Sequence, residues 1–572
     1  MKSAPSIVMT AACWQKLYAH LVRVTPETPR PEEQMAFLLA SRNTSALNTR
    51  LLVCEMIPAS PADFTYQSRG GLEPKAEFVA ATIKRCLKEG WHLIEVHSHP
   101  FDAGNRTTFS AVDWANDRKK MPALASIIPE PFLHATMVVG QKALDAHFYD
   151  RTSQRIRPIS QVTLVGERVQ QLMTTSNRGM KRGKPVDERF HRQALFFGSA
   201  TQHALARSTV AVVGLGGLGS LVATQLAHLG IGHLILIDPD HVERSNLNRL
   251  FGAGPADLGR AKVEVYAEMI KRISETTQVT ALPLSLLDRA DQRALDFARS
   301  ADVIAGCVDN DGARLILNQI AVRYLIPLVD GGSGIHLDAA SLVQAAGGQV
   351  QRVLPGSGCL ECRGYINPQR AHFDLAPAAF QEDARTHGYG TDAVAPSVIY
   401  INGIVASQQV AEIVSLLSEV ELTPEAQPPL MVYNALQRRL TPMRIQADPT
   451  CPTCGLEGLS GIGDFAPITF ATNTLTEEAV TRIMATQLDA PEHSAGSQQT
   501  EKAASPEQDQ TASTAEVPAE KTALTANQAS PEAARSTPLA LARVNTAVAR
   551  QSKRAKRHIR QKQLPFVLKR RR

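Results

Sequence analysis

The spacing of hydrophobic positions divides the chain into segments of different character. Up to about residue 160, helical periodicity alternates with short apolar runs. Leu17 and Leu21 predict a helix over residues 11–22, and Val79, Ile83 and Leu87 predict another over 75–88 that stops at Gly90. The runs WHLIEVH, HATMVVG and LDAHFY, starting at Trp91, His134 and Leu144, read as strands. A larger alternation runs from Arg192 to about Gly463. There the strand TVAVVG, a glycine loop, a helix and the strand HLILID form one βαβ unit, with ADVIAGCVD and IPLVDGG as later strands. After about residue 485 large apolar residues give way to Ala, Gln, Ser, Thr, Glu and Pro, a composition that buries too little surface to fold.

The expected architecture is therefore α/β throughout, with a first domain over residues 1–160 and a polar, glycine-bearing linker over 161–187. A doubly wound, Rossmann-like domain follows over 188–465, then a largely disordered basic tail over 466–572. A chain of 572 residues exceeds one ordinary core, which agrees with two folded parts. No apolar run is long enough to cross a bilayer, since His228 and His233 interrupt the nearest one. With no apolar leader in MKSAPSIVMTAACWQK either, the expectation is a cytoplasmic protein without membrane contact. The formal charge of +6 comes from the end of the chain: without the 12 Lys and Arg of residues 541–572 it becomes −6. That tail can attract nucleic acid or an acidic partner, or remain simply solvated; Phe566 alone offers too little aromatic surface for base stacking.

Candidate chemistry lies first in EVHSHPFDAGNRTTFSAVD, residues 95–113. Residues two apart on a strand share a face, so His97 and His99 can offer their imidazoles to one ion, or be ordinary strand residues. Ser110 and Asp113 have the spacing of a helix N-cap, and a carboxylate fixed at a helix start is also a well-positioned third ligand. Two His and one Asp leave a fourth zinc position for water. Together with EEQMAFLLA at Glu32–Ala40, the HSHP and FSAVD motifs resemble the JAMM/MPN metalloprotease family, which cleaves isopeptide or peptide bonds after ubiquitin-like proteins. The resemblance covers roughly residues 1–150 and implies catalytic zinc on His97, His99 and Asp113. It implies Glu33 as the base, with Glu32 the competing choice, and Ser110 as a partner for the oxyanion. One departure stands out: ten residues separate His99 from Ser110 where the family usually has seven.

The second constellation is Gly214, Gly216, Gly217 and Gly219, a GxGGxG loop between strand and helix whose N–H groups can cradle phosphates. Alone it suits a nicotinamide-dependent dehydrogenase equally well. With IDPDHVERSNLNRL, LGRAKVE and GCVDN after it, the segment 188–460 resembles the ubiquitin-activating superfamily in its bacterial ThiF/MoeB-like forms. That resemblance implies an enzyme in which ATP has its ribose on Asp238, its phosphates on Asn246, Arg249 and Lys262, and Mg²⁺ on Asp309. RFHRQ resembles a motif whose second arginine, here Arg192, reaches the ATP of a neighbouring subunit, which implies a homodimer.

Of eight cysteines, Cys359, Cys362, Cys451 and Cys454 form two CxxC pairs suited to a structural zinc. No cysteine lies between Cys362 and Cys451, where thioester-forming relatives carry their nucleophile, and Cys307 reads as a buried strand residue. The expected function is thus bifunctional: adenylation of the C-terminal glycine of a ubiquitin-like or sulfur-carrier protein, and zinc-dependent cleavage after that carrier. The alternatives are adenylation of a non-protein substrate such as tRNA, and a ubiquitin-like-binding scaffold with an inactive first half.

Overall fold

Two sheets carry the fold. In the computed structural model, which describes residues 4–22, 31–178, 186–377, 379–382, 396–418 and 428–470, both lie within one compact unit, Met1–Ala490. The tail expected beyond residue 485 lies outside the described residues.

The first sheet has nine strands, in the order Val169–Met173, Gln161–Val165, Ser6–Thr10, Thr49–Pro58, Met35–Thr44, His92–Ser98, His134–Val139, Leu144–Asp150 and Arg155–Pro158. Pairing is parallel on both sides of Ser6–Thr10 and between His92–Ser98 and His134–Val139, and antiparallel elsewhere. Helix Ala11–Leu21 buries Leu17 and Leu21 on one face with Leu38, Leu51 and Met137. Helix Ala76–Glu89 covers Met35, Phe37 and Leu93 on the other through Val79, Ile83 and Cys86. Leu87, expected on its buried face, points to solvent because the sheet lies under the Thr82–Cys86 side.

The second sheet begins with five parallel strands, Gln278–Leu282, His233–Ile237, Thr209–Val213, Val303–Gly306 and Leu328–Leu337. Three antiparallel strands complete it, Val343–Val353, Leu430–Asn434 and Arg439–Met443. From Thr209–Val213 the chain passes through helix Gly219–Leu229 to one side, and later resumes on the other side at Val303–Gly306. Strand order therefore reverses between these two strands, leaving a crevice at their carboxyl ends.

The expected linker is partly sheet. Gln161–Val165 pairs with Ser6–Thr10 and Val169–Met173 pairs with Gln161–Val165, so the first half extends at least to helix Thr175–Arg178. Only residues 179–185 of the expected linker lie outside the described residues. The misreading has a physical source. In Ser6–Thr10, Gln161–Val165 and the Arg50–Val53 part of Thr49–Pro58 both faces are covered, and such segments lose the alternation that marks a half-exposed strand. Ile7, Leu51 and Leu164 pack inside the first half, whereas Val8, Leu52 and Val165 join Leu295, Ala298, Ala301 and Leu325 of the second half in a single core.

Polar groups close the same contact. Buried Arg50 donates to Ala301 O at 2.7 Å and Ser300 O at 2.9 Å and pairs with Asp302 at 3.0 Å. Asn43 donates to Arg299 O, and Asn48 to Ser300 O. Beyond the cysteines, residues 461–470 run between the halves rather than starting a tail. Ser41 donates to Gly461 O, Thr44 N to Asp464, and Trp91 meets Phe465 edge-on at 4.7 Å. Arg323 donates to Ala466 O and Pro467 O, which ties the segment to the second half.

Removing Arg50 takes the ion-pair partner from Asp302 and the donor from Ala301 O in a closed interface. Arg50→Ala is expected to cost about 3–5 kcal/mol and to split one cooperative melting transition into two. Calorimetry showing an unchanged single transition would contradict this account of the contact.

Candidate functional site

The crevice at the strand reversal collects most of the residues expected to handle a nucleotide. Strand Thr209–Val213 ends at Gly214, which turns with φ +89° and donates its N–H to Ile237 O at 2.8 Å. A Cβ at Gly214 would stand 2.5 Å from Cys307 O, and one at Gly219 would overlap Gly214 O, so loop, helix and neighbouring strand close up only around glycines. At Gly216 a Cβ would meet nothing within 4 Å, because this glycine faces open space. Gly217 lies under Asn402 and beside the Arg249 stem.

Strand His233–Ile237 delivers Asp238 to the same edge, nearly buried. Its Oδ2 accepts from Leu215 N at 2.5 Å and its Oδ1 from Asp240 N at 2.8 Å. Burial raises its pKa, and Lys262 opposes this from 3.8 Å. Lys262, at the start of helix Lys262–Ile273, is buried with its Nζ 2.7 Å from Asp240 Oδ2. An ionised carboxylate has about four acceptor positions, so Asp238 retains capacity for two hydroxyl groups. Asn246 is buried on the turn Arg244–Asn246, and Arg249 is half-buried, its Nη1 donating to Ser245 O at 2.8 Å. Asp309 is exposed in the loop after Val303–Gly306, next to Asn310, which caps helix Asp311–Tyr324. Glycine loop, buried cation and exposed carboxylate thus suit a polyphosphate with a divalent ion. Arg192 stands apart from them, exposed on helix His191–Leu205 beside Leu195 and Phe196, which are 74% and 89% exposed.

Two residues of this crevice escaped the sequence reading. Gln409 donates to Gly306 O at 2.9 Å and Val329 O at 2.8 Å, satisfying carbonyls of two parallel strands. Asn402 accepts from Ser333 at 2.7 Å while its amide nitrogen lies over Gly217. Both belong to helix Ile399–Leu417, whose nearly all-apolar face gives their polarity no local meaning. Cys307 is buried beside Gln409 Oε1 at 3.5 Å, and burial raises its thiol pKa far above the ordinary value.

The four cysteines of the CxxC pairs meet. Their sulfurs are 3.9 Å apart for Cys359 and Cys362, 3.6 Å for Cys359 and Cys451 and 3.2 Å for Cys362 and Cys454. A hydrogen bond from Cys454 lowers Cys359 to about 5, while burial raises Cys451 to about 11. Four sulfurs within 4.8 Å of one another, one of them readily ionised, fit a tetrahedral zinc.

In the first half, His97 and His99 lie at the end of strand His92–Ser98, and Asp113 in the first turn of helix Ala111–Ile127. Asp113 Oδ2 is 3.6 Å from His97 Nε2 and 3.4 Å from His99 Nε2. Burial opposes its ionisation, yet His97, His99 and Ser110 hold its carboxyl well below the usual range. His97 Nε2 is buried and has no hydrogen-bond partner, and the three donor atoms lie within 4.8 Å, an arrangement that fits a metal ion. Ser110 and Asp113 form the expected capping box: Ser110 N donates to Asp113 Oδ2 at 2.7 Å, and Asp113 N to Ser110 Oγ at 3.1 Å. The longer loop therefore does not take Asp113 away from the histidines. Met35 pairs with His97 across the sheet, and Ser98 N donates to Gln34 O, so the next residue, Glu33, falls opposite His99. Glu33 is buried and Glu32 exposed. Burial raises the Glu33 pKa, with His99 and His97 opposing. His99 is held above its ordinary value because Asp113, Glu33 and Asp102 outweigh its burial.

Helix Ala111–Ile127 buries a mixed layer, with Met121 and Leu124 apolar and Asp117 polar. Asp113, Asp117 and Lys120 share one face. Asp117 meets buried His147 at 2.7 Å, and Lys120 meets Glu95 at 2.7 Å and Asp117 at 3.2 Å. Trp114 stacks on His147 at 4.8 Å, and buried His134 has its pKa lowered to about 4 by desolvation.

Comparison with known proteins bears on the second half. The ThiF family profile matches residues 190–453, from Phe190 to Thr453 between the last two cysteines. Over 271 residues the chain is 30% identical to the sulfur carrier protein ThiS adenylyltransferase of Escherichia coli (strain K12), taking in 47% of this chain and 94% of that protein. Identity to the SAMP-activating enzyme E1 of Haloferax volcanii is 28%, over 47% of this chain and 87% of that one. Identity to the adenylyltransferase and sulfurtransferase MOCS3 of Mus musculus is 39%, over 25% and 31%. Among the described residues no helix is long and apolar enough to cross a membrane.

Two glycines separate folding from ligand binding. Gly219→Ala drives a methyl group into Gly214 O and is expected to cost on the order of 1–3 kcal/mol of stability. Gly216→Ala, with open space around it, should leave the melting temperature unchanged and weaken nucleotide binding by roughly tenfold, about 1.4 kcal/mol. Calorimetry with and without nucleotide reads both effects.

Proposed function

The chain belongs to the ThiF family, and from that premise we propose that it is a bifunctional enzyme acting on a small ubiquitin-like or sulfur-carrier protein that ends in glycine. The second half adenylates the carrier's C-terminal carboxylate with ATP, and the first half cleaves peptide or isopeptide bonds after the same carrier. The observation that carries the first activity is the meeting of the glycine loop with buried Asp238 and Lys262 at the strand reversal. The matching proteins are named as adenylyltransferases and an E1, which supports the reading.

In this reading Gly214, Gly216, Gly217 and Gly219 line the phosphates with backbone N–H groups, and Asp238 accepts the ribose hydroxyls. Asn246, Arg249 and Lys262 draw charge from the triphosphate while the glycine carboxylate attacks the α-phosphate and pyrophosphate departs. Mg²⁺ held by Asp309 would supply positive charge for the leaving group. Cys307 is buried, which makes it a poor nucleophile, and no cysteine lies between Cys362 and Cys451, so in this reading the domain releases the acyl-adenylate without forming a thioester on Cys307. Exposed Arg192, Leu195 and Phe196 support a homodimer in which Arg192 reaches the partner's ATP. Cys359, Cys362, Cys451 and Cys454 would hold a structural zinc.

For the first half, His97, His99 and Asp113 would hold a catalytic zinc, which supplies Lewis acidity when bound. Buried Glu33 takes the proton of the attacking water and passes it to the departing amine. The Ser110 oxygen already accepts from Asp113 N, which leaves its O–H free to donate to the developing oxyanion. The two activities follow in order, since adenylation needs a free carboxylate and the hydrolysis produces one.

ATP–pyrophosphate exchange should require a glycine-ending carrier and fall on the order of 100-fold or more in Asp309→Ala. Exchange supported by free tRNA and by no carrier would overturn the substrate assignment. Elemental analysis should find two zinc ions per chain, one lost in His97→Ala and the other in Cys451→Ser. A single ion that disappears only with the cysteines would remove the hydrolase.

A further inference from the structure

We propose that Asp102, in the loop that lengthens the His99–Ser110 segment, is a positioning residue that orients His99 toward the metal; this rests on the metallopeptidase reading above. The loop is fastened. Asp102 N donates to His99 O at 3.0 Å, making a tight turn over HPFD, and Asp102 O accepts from Gln141 N at 3.0 Å. Gln141 Nε2 donates to Pro100 O at 2.7 Å, and Tyr18 donates to Gln141 O at 2.8 Å. A Cβ at Gly140 would lie 3.1 Å from Asp102 Cβ and overlap Thr107, so this strand end accepts the loop only because residue 140 has no side chain. The Asp102 backbone is therefore held from both sides.

That anchoring places a carboxylate at each edge of one imidazole. Asp102 Oδ2 stands 3.7 Å from His99 Nδ1, and Asp113 Oδ2 stands 3.4 Å from His99 Nε2. Phe101 stacks on the same ring, centroids 5.1 Å apart and planes 23° apart. An imidazole that ligates through Nε2 must keep its proton on Nδ1, and a carboxylate facing Nδ1 selects that tautomer, fixes the ring plane and makes Nε2 a better donor. At 3.7 Å the contact is electrostatic, and the Asp102 side chain, 30% exposed, has room to close it into a hydrogen bond. The loop thus offers a partner for His99 rather than merely slack.

The test uses the full-length protein and zinc itself, titrated against a competing chelator, with His97→Ala marking which ion belongs to the first half. Asp102→Asn and Asp102→Ala are expected to weaken zinc at that site 10- to 100-fold, a range typical of lost outer partners, with zinc on the four cysteines and the metal-free melting temperature unchanged. Asp102→Glu should recover most of the affinity. With cobalt(II) in place of zinc, the visible bands of the first-half site should shift in Asp102→Asn, which a purely structural role would not cause. Wild-type affinity and spectrum in Asp102→Asn would overturn the role of Asp102 alone. A wild-type protein whose zinc is indifferent to His97→Ala would overturn the metallopeptidase reading and this inference with it.

Discussion

In three neighbouring strands, Ser6–Thr10, Gln161–Val165 and the Arg50–Val53 part of Thr49–Pro58, both faces are buried, and neither is left to water. One side is met by the helices and strands of the first half; the other is met by Leu295, Ala298, Ala301 and Leu325 of the second. Each fully buried Val or Leu contributes about 1.5–3 kcal/mol, so Val8, Leu52 and Val165 commit the two halves to each other. Arg50 sits in the same layer and is tolerated there because backbone carbonyls and Asp302 take its donors. The position of each site within one body follows from this shared layer.

The two sites are built on different principles. In the second half, topology does the work: parallel strands that reverse order must open at their carboxyl ends, and glycines let the chain close around that opening. In the first half the site depends on charge. Helix Ala111–Ile127 buries only Met121 and Leu124 as apolar anchors, and the Asp117–His147 and Lys120–Glu95 pairs fix its rotation with them. Asp113 meets the histidines because residues four and seven positions further along are already matched.

Much of this was legible in the sequence where the chemistry is local. GxGGxG, the HSHP and FSAVD motifs and the CxxC pairs are short segments whose spacing fixes their geometry, and each is found with its residues together. Of the two candidate bases that the sequence offers, Glu33 is buried and Glu32 exposed, a difference that depends on the fold. Long-range partnerships were not legible. The strands at Gln161–Val165 and Val169–Met173 lie beside the start of the chain, and nothing in their neighbours announces that. Gln409 and Asn402 gain their meaning from carbonyls and a glycine far away in sequence.

The segment after the last cysteine belongs to the folded body. The family profile ends at residue 453, yet Gly461, Asp464 and Phe465 complete the seam with the first half. The profile match and the folded body therefore do not end at the same residue. Two halves joined by such a strip are not interchangeable parts: replacing either with another sequence would also require refitting residues 461–465 to it.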